Sequence, residues 1–292
     1  MIVKNDFCLA SKTTMKIGGY ADAFYIPENE EELISIAQKI YDENKHVYIL
    51  SGGSNLLIND KKRFKEVIYM GQACDEMNHL GEGEFFVGAS NRIQNVISYV
   101  NDFGYGGFER LVGLPALFGG IIYMNAGIGG RENSLFTISD FVLTVKAWNF
   151  VERKIVWLSA NECCFGHRFS VFHNYQYLIL GARIRCLHMD KEQARKVKEE
   201  RVQFCKNKFE YGKGCFGTCF SDVNYKIIKL LQKSDKLIKL GKGRVTFGKN
   251  NPNWLVNHGD GTFGDAMRII DVCKKVHKIC TRDIKCEVII WE

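Results

Sequence analysis

The sequence predicts an α+β fold in two parts, a larger N-terminal region and a smaller C-terminal one. Three observations lead there. Strand-like and helix-like segments are interspersed without the regular alternation of a βαβ array. Two glycine-rich segments, SGGSN (51–55) and the uncharged stretch LVGLPALFGGIIYMNAGIGG (111–130), fall in the first part. Near residue 190 the chain changes character, at the charged segment DKEQARKVKEERVQFCKNK (190–208).

The elements follow in order. Alternation after Gly19 predicts a strand reaching Pro27. Residues 28–45 carry Leu33, Ile36, Ala37 and Ile40 on one helical face, with acids near the start where the helix macrodipole favours them. HVYIL (46–50) is a short buried strand that runs into SGGSN, a strand–glycine turn able to cradle a phosphate or to be an ordinary tight turn. Strands are expected at 65–71 and 84–90, and an amphipathic helix at 91–104 with Ile93, Val96, Ile97 and Val100 together. A hairpin at 141–150 and 153–159 and a strand at 177–187 follow. Beyond the charged helix, helices are expected at 224–234 and 264–279, and strands at 254–257 and 286–292.

The stretch 111–130 has the length of a membrane span but six glycines, Pro115 and Asn125, which would leave main-chain groups unsatisfied in lipid. It reads instead as a buried, backbone-rich segment. Glycine lets main chain approach a neighbour closely, and free N–H groups there suit an anionic group such as a diphosphate. A tightly packed core turn is the competing reading.

Composition narrows the function classes. The 46% apolar and 25% charged content is that of a globular protein. A net charge of +7, spread along the chain without interleaved aromatics, favours an acidic small molecule over nucleic acid. The eleven cysteines contain no CxxC, and no zinc-ligand spacing arises with the seven histidines, so no metal is expected and the thiols are read as reduced, as in the cytoplasm. The N-terminus lacks the apolar core of a signal peptide. A monomer without membrane partners is expected.

The ordered segments TTMKIGGYAD (13–22), LSGGSNLLIND (50–60), GFERLVGLP (107–115), GGIIYMNAGIGG (119–130), FGHRFSVF (165–172), GTCF (217–220), PNWLVN (252–257) and CEVII (286–290) resemble the UDP-N-acetylenolpyruvoylglucosamine reductase family, in its shorter type, over nearly the whole chain. The resemblance implies a two-part FAD-binding region of the vanillyl-alcohol-oxidase type, over 1–62 and 63–189, then a substrate-binding domain over 190–292. It implies FAD contacts from Ser51, Gly52, Gly53, Ser54, Asn55, Gly113, Pro115, Gly119, Gly120, Asn125, Ala126 and Gly127. Lys226, Asn253 and Asn257 are implied as substrate contacts. The absence of a GxGxxG motif opening a βαβ unit agrees with a nucleotide site other than the Rossmann kind.

The implied reaction has two halves: NADPH reduces the flavin, and the flavin reduces the enolpyruvyl double bond of a UDP-sugar. Charge that develops beside the carboxylate needs a cation, and the carbon needs an acid. Arg168 in FGHRFS matches the family's arginine, whose guanidinium forks onto a carboxylate; a surface ion pair is its bland alternative. Glu287 in CEVII matches the family's glutamate, as a partly desolvated donor or simply a solvent-facing strand residue. Thr218 in GTCF stands where the family usually has a proton-donating serine and keeps the hydroxyl. Ala116, Leu117 and Phe118 replace a common Gly-Thr-Val, His167 replaces a tyrosine, and Ser221 and Asp222 replace Lys and Asn. Competing functional readings are a paralogue that binds flavin or a nucleotide-sugar without turnover, and a flavin oxidoreductase with another substrate.

Overall fold

Helix α1 (Glu30–Asp42) forms where the periodicity placed it. Asn29 caps it by accepting from the Glu32 N–H at 2.9 Å, and Glu30, Glu31 and Glu32 occupy its first turn. Its buried stripe is Leu33, Ile36, Ala37 and Ile40, and each of the large residues contributes about 1.5–3 kcal/mol by leaving water. The computed structural model describes residues 1–129, 135–208, 210 and 212–292. Gly130, the end of the uncharged stretch, lies outside them.

Contacts divide the chain into two units. The first comprises Met1–Asn5, Ala23–Gly52 and Lys65–Gln203; the second comprises Asp6–Asp22, Gly53–Phe64 and Phe204–Glu292. The expected boundaries at 62/63 and 189/190 differ from this division. Residues 6–22 and 53–64 fold with the C-terminal part because their partners are there. Leu56–Ile58 pairs parallel with Ile289–Trp291, Met15 and Leu57 sit in the C-terminal core, and the Cys215 N–H donates to the Thr14 carbonyl at 3.0 Å.

The first unit is built on a five-stranded antiparallel sheet ordered Lys154–Ser159, Val142–Asn149, Tyr177–Arg185, Glu84–Gly88, Met77–Gly81. Met77–Gly81, an edge strand with no fully buried residue, has no pattern strong enough to be read from sequence. Helix α2 (Ile93–Asp102) buries Ile93, Val96, Ile97 and Val100. The uncharged stretch becomes a 3-10 turn (Glu109–Gly113), a short helix α3 (Phe118–Tyr123) and the strand Gly127–Ile128. Leu111, Leu117, Phe118, Ile121 and Ile122 join the core, so its apolar side chains serve packing. The charged helix α4 spans Lys191–Lys208.

The second unit has a three-stranded antiparallel sheet ordered Gly214–Thr218, Trp254–Asn257, Val245–Phe247, covered by α5 (Tyr225–Ile238) and α6 (Phe263–Cys280). Thr262 and Asp265 form a reciprocal capping box at the start of α6. The single strand expected at 286–292 is two strands. Lys285–Cys286 pairs with Phe220–Ser221, and Ile289–Trp291 pairs with Leu56–Ile58. The break at Glu287–Val288 is where the strand changes partner.

Candidate active site

The turn after the strand Tyr48–Leu50 has the properties of an anion cradle. Among the described residues, no main-chain N–H from Ser51 to Asn55 donates to a protein acceptor. The Ser51 Oγ is buried and has no hydrogen-bond partner, a cost unless something else supplies one. A Cβ at Gly120 would lie 3.0 Å from that oxygen, so glycine leaves the space beside it open. A Cβ at Gly52 would meet the Pro115 carbonyl oxygen at 2.9 Å and the Ala116 Cα at 3.0 Å. In the second unit Gly53 has φ +60°, and its Cβ would fall 2.1 Å from the Lys12 carbonyl oxygen, so no side chain fits. Unspent donors, an orphaned hydroxyl and bare backbone fit the phosphate oxygens of a dinucleotide cofactor.

Other members of the expected cofactor set have structural uses. Gly119 packs against Ala89, where a Cβ would come within 2.9 Å of the Ala89 Cβ, and its N–H donates to the Ala89 carbonyl at 2.8 Å. Gly127 pairs with Thr137 and lies too close to the Phe136 carbonyl for any side chain. Asn125 is buried: its Nδ2 donates to the Gly166 carbonyl at 3.0 Å, and its Oδ1 accepts from the Ser139 N–H at 3.1 Å. Ala126 spends its N–H on Ile121 and its carbonyl on Ile138. Gly113 ends the 3-10 turn, Pro115 is exposed, and Ser54 is half-buried beside Asn55.

Arg168 sits in the first unit on a tight turn closed by Gly166 and Phe169, which exchange main-chain hydrogen bonds at 3.0 and 3.3 Å. Its φ of +53° is left-handed, costing an L-residue about 1–2 kcal/mol. The guanidinium compensates by docking on backbone: Nη1 donates to the Asn125 carbonyl at 3.4 Å and Nη2 to the Gly127 carbonyl at 3.3 Å. Beside it, the Ser170 Oγ donates to the Tyr123 carbonyl at 2.7 Å. The His173 ring stacks on Tyr123, with centroids 4.0 Å apart, and on Phe169, at 5.1 Å. Burial holds the His173 pKa below its ordinary value, against a smaller upward pull from the Ser170 backbone, and burial pushes the Tyr123 phenol upward. Nothing in the local sequence marked this stack.

In the second unit, Thr218 and Glu287 lie on neighbouring segments. The Glu287 N–H donates to the Cys219 carbonyl at 2.8 Å, and the Glu287 carbonyl accepts from the Asn55 Nδ2 at 2.8 Å. The Thr218 Oγ1 accepts from the Trp254 indole N–H at 3.3 Å, which leaves the hydroxyl proton to be donated elsewhere. Trp254, which adjoins Asn253 in PNWLVN, is a contact of Thr218 that sequence reasoning missed.

Asn253 is buried. Its Oδ1 accepts from the Phe220 N–H at 3.1 Å and its Nδ2 donates to the Phe220 carbonyl at 2.8 Å, while its own carbonyl accepts from the Cys219 N–H at 2.8 Å. Asn257, fully buried, donates to the Met15 carbonyl at 2.9 Å and accepts from the Gly259 and Gly261 N–H groups, each at 2.9 Å. Lys226 is exposed in the first turn of α5. Among the described residues, no group of three or more His, Cys, Asp or Glu side chains is arranged to hold a metal ion.

A model of an FAD binding domain matches residues 21–159. The chain is 27% identical over 270 residues to the UDP-N-acetylenolpyruvoylglucosamine reductase of Bacillus pumilus, covering 91% of this chain and 86% of that protein. It is 29% identical over 271 residues to the reductase of that name from Caldanaerobacter subterraneus, covering 91% and 85%. The crystal structure of UDP-N-acetylenolpyruvylglucosamine reductase (MurB) from Thermus caldophilus matches with a TM-score of 0.76 over 100% of both chains at 22% identity, a likeness of fold. The near-complete coverage, the FAD-binding match and a cradle of unspent donors converge: over about nine-tenths of its length the chain is similar to UDP-N-acetylenolpyruvoylglucosamine reductases.

Proposed function

We propose that this protein is a flavin reductase that uses FAD and NADPH to convert UDP-N-acetylglucosamine enolpyruvate into UDP-N-acetylmuramate, a step in peptidoglycan precursor synthesis. When bound, FAD supplies the redox chemistry that links NADPH to the double bond. Ser51, Gly52, Gly53, Ser54, Asn55 and Gly120 hold its anionic groups, through the Ser51 hydroxyl and unspent N–H groups. Gly119, Asn125, Ala126 and Gly127 shape that region by packing and hydrogen bonding.

One observation carries the reading on the protein side. The Glu287 main chain is gripped at both ends, by Cys219 next to Thr218 and by Asn55 of the glycine turn. That ties the Thr218 hydroxyl and the Glu287 carboxyl to the cofactor turn within one folded unit. Thr218 donates a proton, its oxygen oriented by Trp254. Glu287 is the second donor. Arg168, a cation that stays charged, stabilises negative charge on the substrate carboxylate. Asn253 and Asn257, with both amides committed to backbone, position the strands; Lys226 is the solvent-facing cation for the UDP end.

We infer a monomer acting in the cytoplasm. Among the described residues, no helix is long and apolar enough to cross a membrane. The decisive experiment combines FAD retention with NADPH oxidation in the presence and absence of the enolpyruvyl UDP-sugar. A colourless protein that does not retain added FAD sinks the reading. Turnover indifferent to the UDP-sugar assigns an oxidase instead.

A further inference from the structure

Helix α5 leaves its charge unspent. Lys226, Lys229, Lys233, Lys236, Lys239 and Lys242 stand on it and just beyond its end, all exposed, against a single acid, Asp235. Asp235 is buried, and its Oδ1 accepts from the Leu240 N–H at 2.7 Å. None of the six lysine side chains has an ion-pair or hydrogen-bond partner among the described residues. The charged helix α4 behaves otherwise: Arg195 bridges Glu192 and Glu199 on the same helix, as a solvated face does. Lys229, Lys233 and Lys236, spaced by four and three residues, repel one another, a cost that a helix of alternating sign avoids.

Aliphatic side chains share the exposed side. The buried positions of α5 are Ile228, Leu231 and Asp235. Lys226, Leu230, Lys233 and Leu237 recur at i, i+4, i+7 and i+11, a stripe on the opposite side of the helix. Leu230 is 64% exposed, Leu237 86% and Ile238 62%. At the start of α5 the Asn224 N–H donates to the His277 Nε2 at 3.3 Å, which brings the end of α6, where Lys278 and Ile279 are exposed, to that end of the helix.

We propose that this face of α5 docks the protein reversibly on an anionic phospholipid surface. Charge complementarity names the occupant: unpaired lysines meet acidic headgroups and are attracted within a Debye length of the bilayer. Leu230, Leu237 and Ile238 enter the boundary between headgroups and acyl chains, while the flexible lysine stems reach back to the phosphates. Binding to a membrane surface scales with buried apolar area plus attraction to anionic lipid, and α5 supplies both. A nucleic acid would match the charge and leave the aliphatic groups in water. An acidic protein would need carboxylates in fixed register with the lysines; a fluid headgroup layer does not. No membrane partner is expected from the sequence, where the basic residues read as spread along the chain. The fold decides which lysines find acids, and among the described residues those of α5 find none.

The test is co-sedimentation of the full chain with vesicles of phosphatidylglycerol mixed with phosphatidylcholine, against vesicles of phosphatidylcholine alone. Binding is expected only to the anionic vesicles and should weaken as salt is raised. Replacing Lys229, Lys233 and Lys236 together by Gln should weaken it roughly a hundredfold, about fivefold for each lysine near an anionic surface. Leu230→Ser combined with Leu237→Ser should cost roughly tenfold at unchanged charge. In Leu237→Trp the indole emission should move to shorter wavelength on adding anionic vesicles, by more than in the unsubstituted chain. All these positions face solvent, so melting temperatures should stay level across the variants. No binding to anionic vesicles, equal binding to both kinds, or binding that survives the lysine replacement overturns the proposal. So does retention by polyglutamate or polyuridylate without vesicle binding, which would assign the face to an acidic protein or to RNA. Neither bound FAD nor turnover enters the readout, so it stands or falls separately from the reductase reading.

Discussion

The Asn55 side chain donates to the main-chain carbonyl of Glu287 at 2.8 Å, across 232 positions of sequence. The Ile289 N–H donates to the Asn55 carbonyl at 3.1 Å, so the same residue holds the chain on both sides of the break between the two C-terminal strands. Asn55→Ala removes the first bond and keeps the second. It is expected to cost about 1–2 kcal/mol of stability and to lower turnover, because Glu287 loses its tether. Urea unfolding alongside steady-state assay checks this. An unchanged midpoint would show that water replaces the amide at no cost.

Ser51 gives a prediction of the opposite kind. Its buried hydroxyl has no protein partner, so Ser51→Ala removes nothing that stabilises the FAD-free protein. The apoprotein melting temperature should stay the same or rise slightly. FAD affinity should fall roughly tenfold, about 1.4 kcal/mol, the scale of one hydrogen bond to a charged oxygen. Calorimetry of the apoprotein and a flavin fluorescence titration separate the two effects. A destabilised apoprotein with unaltered flavin affinity would remove Ser51 from the cradle.

Arg168 combines a strained backbone with a functional side chain, and two substitutions disentangle them. Arg168→Ala should retain FAD and its reduction by NADPH while losing about 10²–10³ in the reduction of the UDP-sugar, the loss seen when one group that stabilises transition-state charge is removed. Arg168→Gly should lose activity equally but be about 1 kcal/mol more stable than Arg168→Ala, since glycine adopts the +53° φ without strain. Glu287→Gln should behave like Arg168→Ala in the two half-reactions. Loss of FAD from either variant would mark the residue as structural.

The stacked His173 supplies a pH dependence. Burial lowers its pKa in the folded state, so below the unfolded value of about 6.5 the unfolded chain binds a proton that the native ring does not. The stability contribution is complete above about pH 6.5 and is lost as pH falls from there through the depressed folded value. His173→Phe keeps a ring between Tyr123 and Phe169 and has nothing to titrate. Melting temperatures between about pH 7 and pH 5 should fall less steeply for the variant than for the parent. Parallel slopes would mean that other groups dominate in this range.

Local chemistry explains which features were readable in advance. The four buried apolar positions of α1 and of α2, the hairpin at Val142–Ser159 and the capped helix α6 all follow from side-chain period and capping residues a few positions apart. The edge strand Met77–Gly81 escaped because it buries too little to leave a pattern. The expectation of one strand at 286–292 missed the break at Glu287 because both halves are apolar enough for a strand, and only their different partners interrupt it.

The sequence alone determined the order of elements, the two glycine segments, the family resemblance and the residues expected to carry charge and protons. Tertiary structure decided how they are used. It moved residues 6–22 and 53–64 into the C-terminal unit, aligned Thr218 with Trp254, gripped Glu287 between Cys219 and Asn55, and committed the amides of Asn253 and Asn257 to backbone. The physical reason is range. Periodicity and turn chemistry act over a few residues, whereas a buried polar group must find its partner wherever the fold brings one, and that partner can lie more than two hundred residues away.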